Sequence, residues 1–114
     1  MQEIIMLINF NDLDEMTIPN MNGGNGAVAA KMNVNECGRF VVCRIPKGTS
    51  IGLHKQETNN DINYVISGNG KAVCDGKEEK LSAGVCHICP KNSEHTIINT
   101  GDGDLVIFTV VPQK

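Results

Sequence analysis

Hydrophobic residues along this chain gather in brief runs rather than at helical spacing. The runs at 4–10, 27–34, 40–45, 62–67, 71–74, 85–89, 96–99 and 105–111 are rich in Val, Ile and Thr. β-branched side chains pack well on a pleated surface, so each run predicts a strand. Gly, Asn, Asp and Pro separate the runs: Asn22-Gly23-Gly24-Asn25-Gly26, Gly48, Gly68-Asn69-Gly70, Asp75-Gly76, Gly84 and Gly101-Asp102-Gly103-Asp104. These residues tolerate the positive φ of tight turns, and Gly68-Asn69-Gly70 reads as a hairpin turn. Many short strands with turn signals about every 8 to 12 residues predict an all-β fold, a sandwich or a jelly-roll barrel. Only 11–16 has room for a helix, with Asn11 or Asp12 as its cap, and that stretch is too short to carry a helical fold.

Length changes this picture little: 114 residues make one compact domain over 1–114. Residues 1–35 combine an apolar run, the acidic Asp12-Leu13-Asp14-Glu15 turn and the Asn/Gly-rich loop, and read as an N-terminal arm on a barrel core spanning 36–114. An apolar strand at 4–8 needs a partner, either across a homodimer or within the same barrel. Net charge narrows the partners further. With a formal charge of -3, no Trp, one Tyr and three Phe, the chain has neither the basic footprint nor the stacking platform of a nucleic-acid binder. The longest apolar run, 4–8, is far short of the roughly 18 residues that span a bilayer, and no basic residue precedes it as in a signal peptide. Cys37, Cys43, Cys74, Cys86 and Cys89 are odd in number and scattered over hydrophobic runs, which points to reduced, mostly buried thiols in a soluble cytoplasmic protein.

The candidate chemistry sits in two polar clusters. In the first, Gly48 is followed after five residues by His54, then Lys55, Gln56, Asp61 and Gly68. On a strand His54 and Gln56 project from one face about 7 Å apart, and Asp61 begins the next strand, where it can fold back beside them. The second cluster runs Gly84, five residues, Pro90, Asn92, His95, three residues, Asn99.

These spacings resemble the two motifs of the small single-domain cupins. The first family motif is Gly, five residues, His-x-His, three or four residues, Glu, six residues, Gly; the second is Gly, five residues, Pro-x-Gly, two residues, His, three residues, Asn. Gly48, His54, Gly68, Gly84, Pro90, His95 and Asn99 fall in register. The resemblance covers 48–99, and it implies a jelly-roll barrel (a double-stranded β-helix) with one divalent metal bound inside. Carried over residue by residue, the implied metal set is His54, Gln56, Asp61 and His95. Gln56 stands in place of the second histidine, Asp61 in place of the glutamate and Asn92 in place of the second-motif glycine. Two imidazoles and a carboxylate suit iron, zinc, manganese or nickel, whereas a Gln amide is a weaker, neutral donor. Two readings follow: a metal-holding pocket, and a metal-free barrel whose polar pocket takes a small molecule.

Function divides in the same way. A metal-dependent isomerase of the sugar-phosphate kind would need a cation at the pocket, for which Arg44, Lys55 and Lys91 are the candidates, and a dioxygenase would need a redox-active metal. A small-molecule binding module needs neither; Glu57 and Glu94 flank the ligands as candidate acid or base, although loop carboxylates so placed are more often solvated. Cys86 and Cys89 are three apart on a strand, face opposite sides and cannot chelate one ion. His87 reads as a satisfied barrel histidine, and Tyr64 as a core or interface aromatic.

Overall fold

A computed structural model describes residues 7–113. Its strands are β1 (Met16–Pro19), β2 (Ala27–Asn35), β3 (Gly38–Ile45), β4 (Ser50–Lys55), β5 (Asp61–Ser67), β6 (Asn69–Cys74), β7 (Lys77–Ser82), β8 (Cys86–Cys89), β9 (Glu94–Asn99) and β10 (Leu105–Pro112). They form a six-stranded sheet in the order β1-β2-β3-β10-β5-β8 and a four-stranded sheet in the order β4-β9-β6-β7. Every pairing is antiparallel. This is the expected all-β jelly-roll architecture.

Alternation sets which side chains fill the space between the sheets. Ile45, Val65, Leu105 and Ile107 from the larger sheet meet Ala72, Leu81 and Ile97 from the smaller one, and all are almost fully buried. Each large aliphatic side chain so placed contributes about 1.5–3 kcal/mol relative to exposure. β1 and β2, from the stretch read as an arm, extend the six-stranded sheet at one edge, and Val28 and Ala30 enter the common core.

Several local expectations give way to the structure. Of the 4–10 run, residues 4–6 lie outside the described residues; Leu7 to Asn9 form no strand, and Phe10–Asp12 is a single-turn 3-10 helix whose amide at Asn11 is capped by Asn9. The helical expectation for 11–16 ends there, because Met16 already opens β1. Gly68-Asn69-Gly70 is no hairpin: Asn69 and Gly70 belong to β6, and Gly68 alone carries the chain from the six-stranded sheet to the four-stranded one. Gly68 has φ +94, and a Cβ there would run into the Asp104 carbonyl, so the crossover requires glycine. By contrast Asp75 and Gly76, both at positive φ, make the tight β6–β7 hairpin. β7 lacks an apolar run because it is an edge strand: Lys77, Glu78 and Lys80 are exposed and guard the edge, Glu79 is half-exposed on the face it shares with Leu81, and Leu81 alone is fully buried.

Candidate metal centre

A β-bulge aims the first histidine. β4 pairs with β9 through Ser50↔Ile98 and Ile51↔Ile97, and then through His54↔His95 and Lys55↔Glu94. Three steps on β4 answer two on β9, so one extra residue lies in the Gly52-Leu53 stretch. Strict alternation from inward-facing Ile51 would turn His54 outward; the extra residue rephases the strand and turns it in. His95 lies directly opposite, and Asp61, the first residue of β5, approaches from the facing sheet.

The three side chains converge. His95 Nε2 lies 3.1 Å from His54 Nε2 and 3.2 Å from Asp61 Oδ2, and one ligand atom from each residue falls within 4.8 Å of the others. Two donors held at about 2.1–2.2 Å from one cation lie roughly 3.0–3.6 Å apart for right-angle to tetrahedral geometry, so these separations fit a metal. Gln56 lines the same cavity.

Tautomers sharpen the fit. His54 Nδ1 is 2.8 Å from the Gly52 carbonyl, which only accepts; a neutral His54 ring therefore donates there and turns its Nε2 lone pair into the cluster. On the far side His95 Nδ1 is 2.9 Å from His87 Nε2, and His87 Nδ1 is 2.7 Å from Glu79 Oε1. With neutral rings and a carboxylate at Glu79, His87 must donate to Glu79 and accept from His95. The His95 Nε2 lone pair then also faces the cluster, where two imidazole lone pairs and the Asp61 carboxylate confront one another. That arrangement closes with a cation among the three, or with one additional proton on the histidine chain.

Burial works against the charge of Asp61, but in metal-free protein, where the histidine chain carries its additional proton and His95 Nε2 can donate, hydrogen bonds from His95 and Asn63 and the nearby imidazoles outweigh it and hold the carboxyl below its usual range. Asn63 Nδ2 donates to Asp61 Oδ2 at 3.1 Å, and Thr109 Oγ1 donates to Asn63 Oδ1 at 2.7 Å, fixing the amide's orientation. Asn92 has φ +76, the conformation a glycine would otherwise supply, and asparagine is among the few side chains that adopt it readily. Asn99 donates to the carbonyls of Ile45 and Gly103 and accepts from the Gly101 amide, so it ties the 101–104 loop to β3.

The cavity beside the cluster has a volume of about 250 Å³. Arg39, an exposed side chain near the start of β3, lines its rim, whereas Arg44, Lys55 and Lys91 do not. Arg44 instead pairs with Glu15 and Asp104, and Lys55 and Lys91 are exposed. Arg39 lies outside both motifs, which is why motif reasoning passes over it; alternation along β3 from inward Val41 and Cys43 would have found it. Glu57 and Glu94 are exposed and do not line the cavity. His87 is the other residue the sequence undervalued: it is buried and satisfied, as expected, but its partner is a residue of the cluster. Cys86 is exposed and Cys89 buried, as alternation requires. Tyr64 is 46% exposed on the outer face and so is not a core residue.

Comparison with known proteins agrees with this geometry. The Cupin domain family model matches residues 41–111. An oxalate-binding protein of Thermotoga maritima is 30% identical over 112 residues, 93% of each chain. The crystal structure of a predicted oxalate decarboxylase from the same organism superposes with a TM-score of 0.88 at 29% identity, covering 94% of this chain and 98% of that one. The pectin degradation protein KdgF of Dickeya dadantii is 28% identical over 76 residues, 66% of this chain and 69% of that one. The structure of KdgF from Halomonas sp., at 18% identity, a TM-score of 0.79, and coverage of 97% and 96%, shares the fold. On its motif register, its two-sheet barrel and these matches, the chain is a member of the cupin domain family.

Proposed function

We propose that this protein binds one divalent cation through His54, Asp61 and His95, with the Gln56 amide oxygen as a fourth donor, and uses it to capture a small carboxylate ligand. The convergence of the three side chains at hydrogen-bonding separations on the wall of a cavity carries this reading. Zinc, manganese, iron and nickel all accept such a nitrogen and oxygen set. When bound, the metal offers open positions to two oxygens of a chelating ligand. The chain's own residues do the rest: Asn63 steadies Asp61, Glu79 and His87 hold the His95 ring, and Arg39 supplies a fixed positive charge for an anion.

Oxalate binding by the Thermotoga maritima relative supports a carboxylate as the ligand. Binding, rather than catalysis, is favoured by the placement of Glu57 and Glu94 outside the cavity lining. The proposal includes a cytoplasmic setting, supported by the odd number of cysteines scattered over the strands. It also includes a homodimer built on the outer face of the six-stranded sheet, where Tyr64, Ile66 and Ile88 are each about half exposed. Calorimetric titration of manganese-loaded protein with oxalate tests the reading. We expect saturable binding that weakens at least ten-fold in Arg39→Ala while metal content is unchanged; binding that is equal with and without metal would overturn it.

A further inference from the structure

The cavity is larger and more apolar than oxalate needs. At about 250 Å³ it has room for roughly eight water volumes, whereas the six heavy atoms of oxalate fill about two to three. Its polar end is the cluster of His54, Gln56, Asp61 and His95, with Asn63 and Thr109 behind it. From there it extends toward β1, β2 and β3, where the lining is Ile18, Met21, Ala30, Met32, Val41 and Cys43. Methionine side chains adapt their shape to what fills the space between them.

Charge is confined to one part of this space. Arg39 pairs with Val111, and Val110 pairs with Ile62, so Arg39 and Asp61 fall on one cross-sheet row with β10 between them. Two strand spacings separate their backbones by about 10 Å, within which one carboxylate can meet both a cation beside Asp61 and an extended guanidinium. Arg39 is the one Lys or Arg in the lining among the described residues. A second carboxylate reaching toward Ile18 and Met21 would leave bulk water for a half-buried, mainly apolar wall with the Asn22 amide and no cationic group beside it, which is unfavourable.

Building on the metal and carboxylate reading above, we infer that the ligand class is a monocarboxylic 2-oxo or 2-hydroxy acid with a branched aliphatic tail, rather than oxalate itself. The carboxylate and the neighbouring oxygen chelate the metal in a five-membered ring, Arg39 meets the carboxylate, and the tail fills the apolar part of the cavity.

The test compares pyruvate with 4-methyl-2-oxopentanoate, which share a head and differ by three carbons, with oxalate as reference, by calorimetric titration of manganese-loaded protein. Each methylene buried tightens binding about four-fold, so the longer acid is expected to bind roughly ten- to sixty-fold more tightly than pyruvate. It is also expected to bind more tightly than oxalate. Ala30→Leu, which fills the tail end, should reduce the ratio between the two oxo acids at least five-fold, and Met32→Phe provides a second filling variant if the first does not fold. Equal affinity for the two oxo acids, or tightest binding of oxalate, would overturn the inference while leaving the carboxylate reading intact. No binding of any of the three would overturn that reading, and the inference with it.

Discussion

Removing the Glu79 carboxylate should weaken metal binding from a position two residues removed from the ion. Glu79 accepts from His87 Nδ1 at 2.7 Å, and His87 in turn orients the His95 ring. The His87 side chain is fully buried whereas that of Glu79 is 50% exposed. A buried hydrogen bond to a charged group is worth about 1.5–3 kcal/mol. Here solvent at Glu79 screens the interaction and water can replace the lost acceptor, so Glu79→Ala should cost at most about 1 kcal/mol of folding stability. The effect on the metal is more specific. Without an acceptor at Glu79, nothing selects the His95 tautomer whose Nε2 lone pair faces the cluster, and loss of such an outer partner typically lowers affinity 10- to 100-fold. Competition against a chromophoric chelator should show about a ten-fold weaker affinity for Glu79→Ala, with Glu79→Gln largely restored because its amide oxygen still accepts. Glu78→Ala, which loses only the surface pair with Lys71, should bind metal like the parent. Metal affinity within two-fold of the parent in Glu79→Ala would refute the orienting role.

Three further outcomes follow from the same geometry. Gln56→His should tighten metal affinity about ten-fold by exchanging a neutral amide for an imidazole, and unchanged affinity would show that Gln56 does not reach the ion. Asp61 is held below the ordinary aspartate value of 3.8, so in metal-free protein its stabilising contribution is present above that pH and is lost as pH falls through the lower folded value. Thermal melting of the metal-free protein should therefore decline on acidification below about pH 4, and Asp61→Asn should flatten that decline. Burial pushes the Cys43 thiol up to about 11 and, with the charges of neighbouring groups, the Cys89 thiol up to about 12. Iodoacetamide followed by mass spectrometry should find both protected in the native protein and labelled only on unfolding, whereas exposed Cys86 reacts readily.

Strand alternation and motif spacing made most of the barrel legible, because a period of two and a glycine at each turn are written into the order of residues. They also single out His54, Gln56, Asp61 and His95 as neighbours of one cavity. What sequence could not carry was geometry that depends on another strand. His54 points inward only because a bulge on β4 adds a residue relative to β9; Gly52 hints at the place, but the register is decided by the pairing with β9. The hairpin expected at Gly68 became a crossover because β6 pairs with β9 rather than with β5, a choice made by sheet packing. His87 looked like a filler histidine because its partners, Glu79 and His95, are each eight residues away in sequence and meet it only when the two sheets close. Arg39 was passed over for Arg44, which lies nearer the first motif but turns outward to Glu15 and Asp104. Asn92 can stand in place of the second-motif glycine for a reason visible only in the backbone, its positive φ, which asparagine adopts readily.

The central claim is that His54, Asp61 and His95 together hold one divalent cation, and metal stoichiometry tests it most directly. Protein stripped with a chelator, reloaded with manganese or zinc and desalted should retain about one ion per chain by elemental mass spectrometry, a stoichiometry implied by a single closed donor set. The folded His95→Ala variant, carried through the same steps, should retain almost none. Equal retention by parent and variant, or no retention by either, would contradict the account.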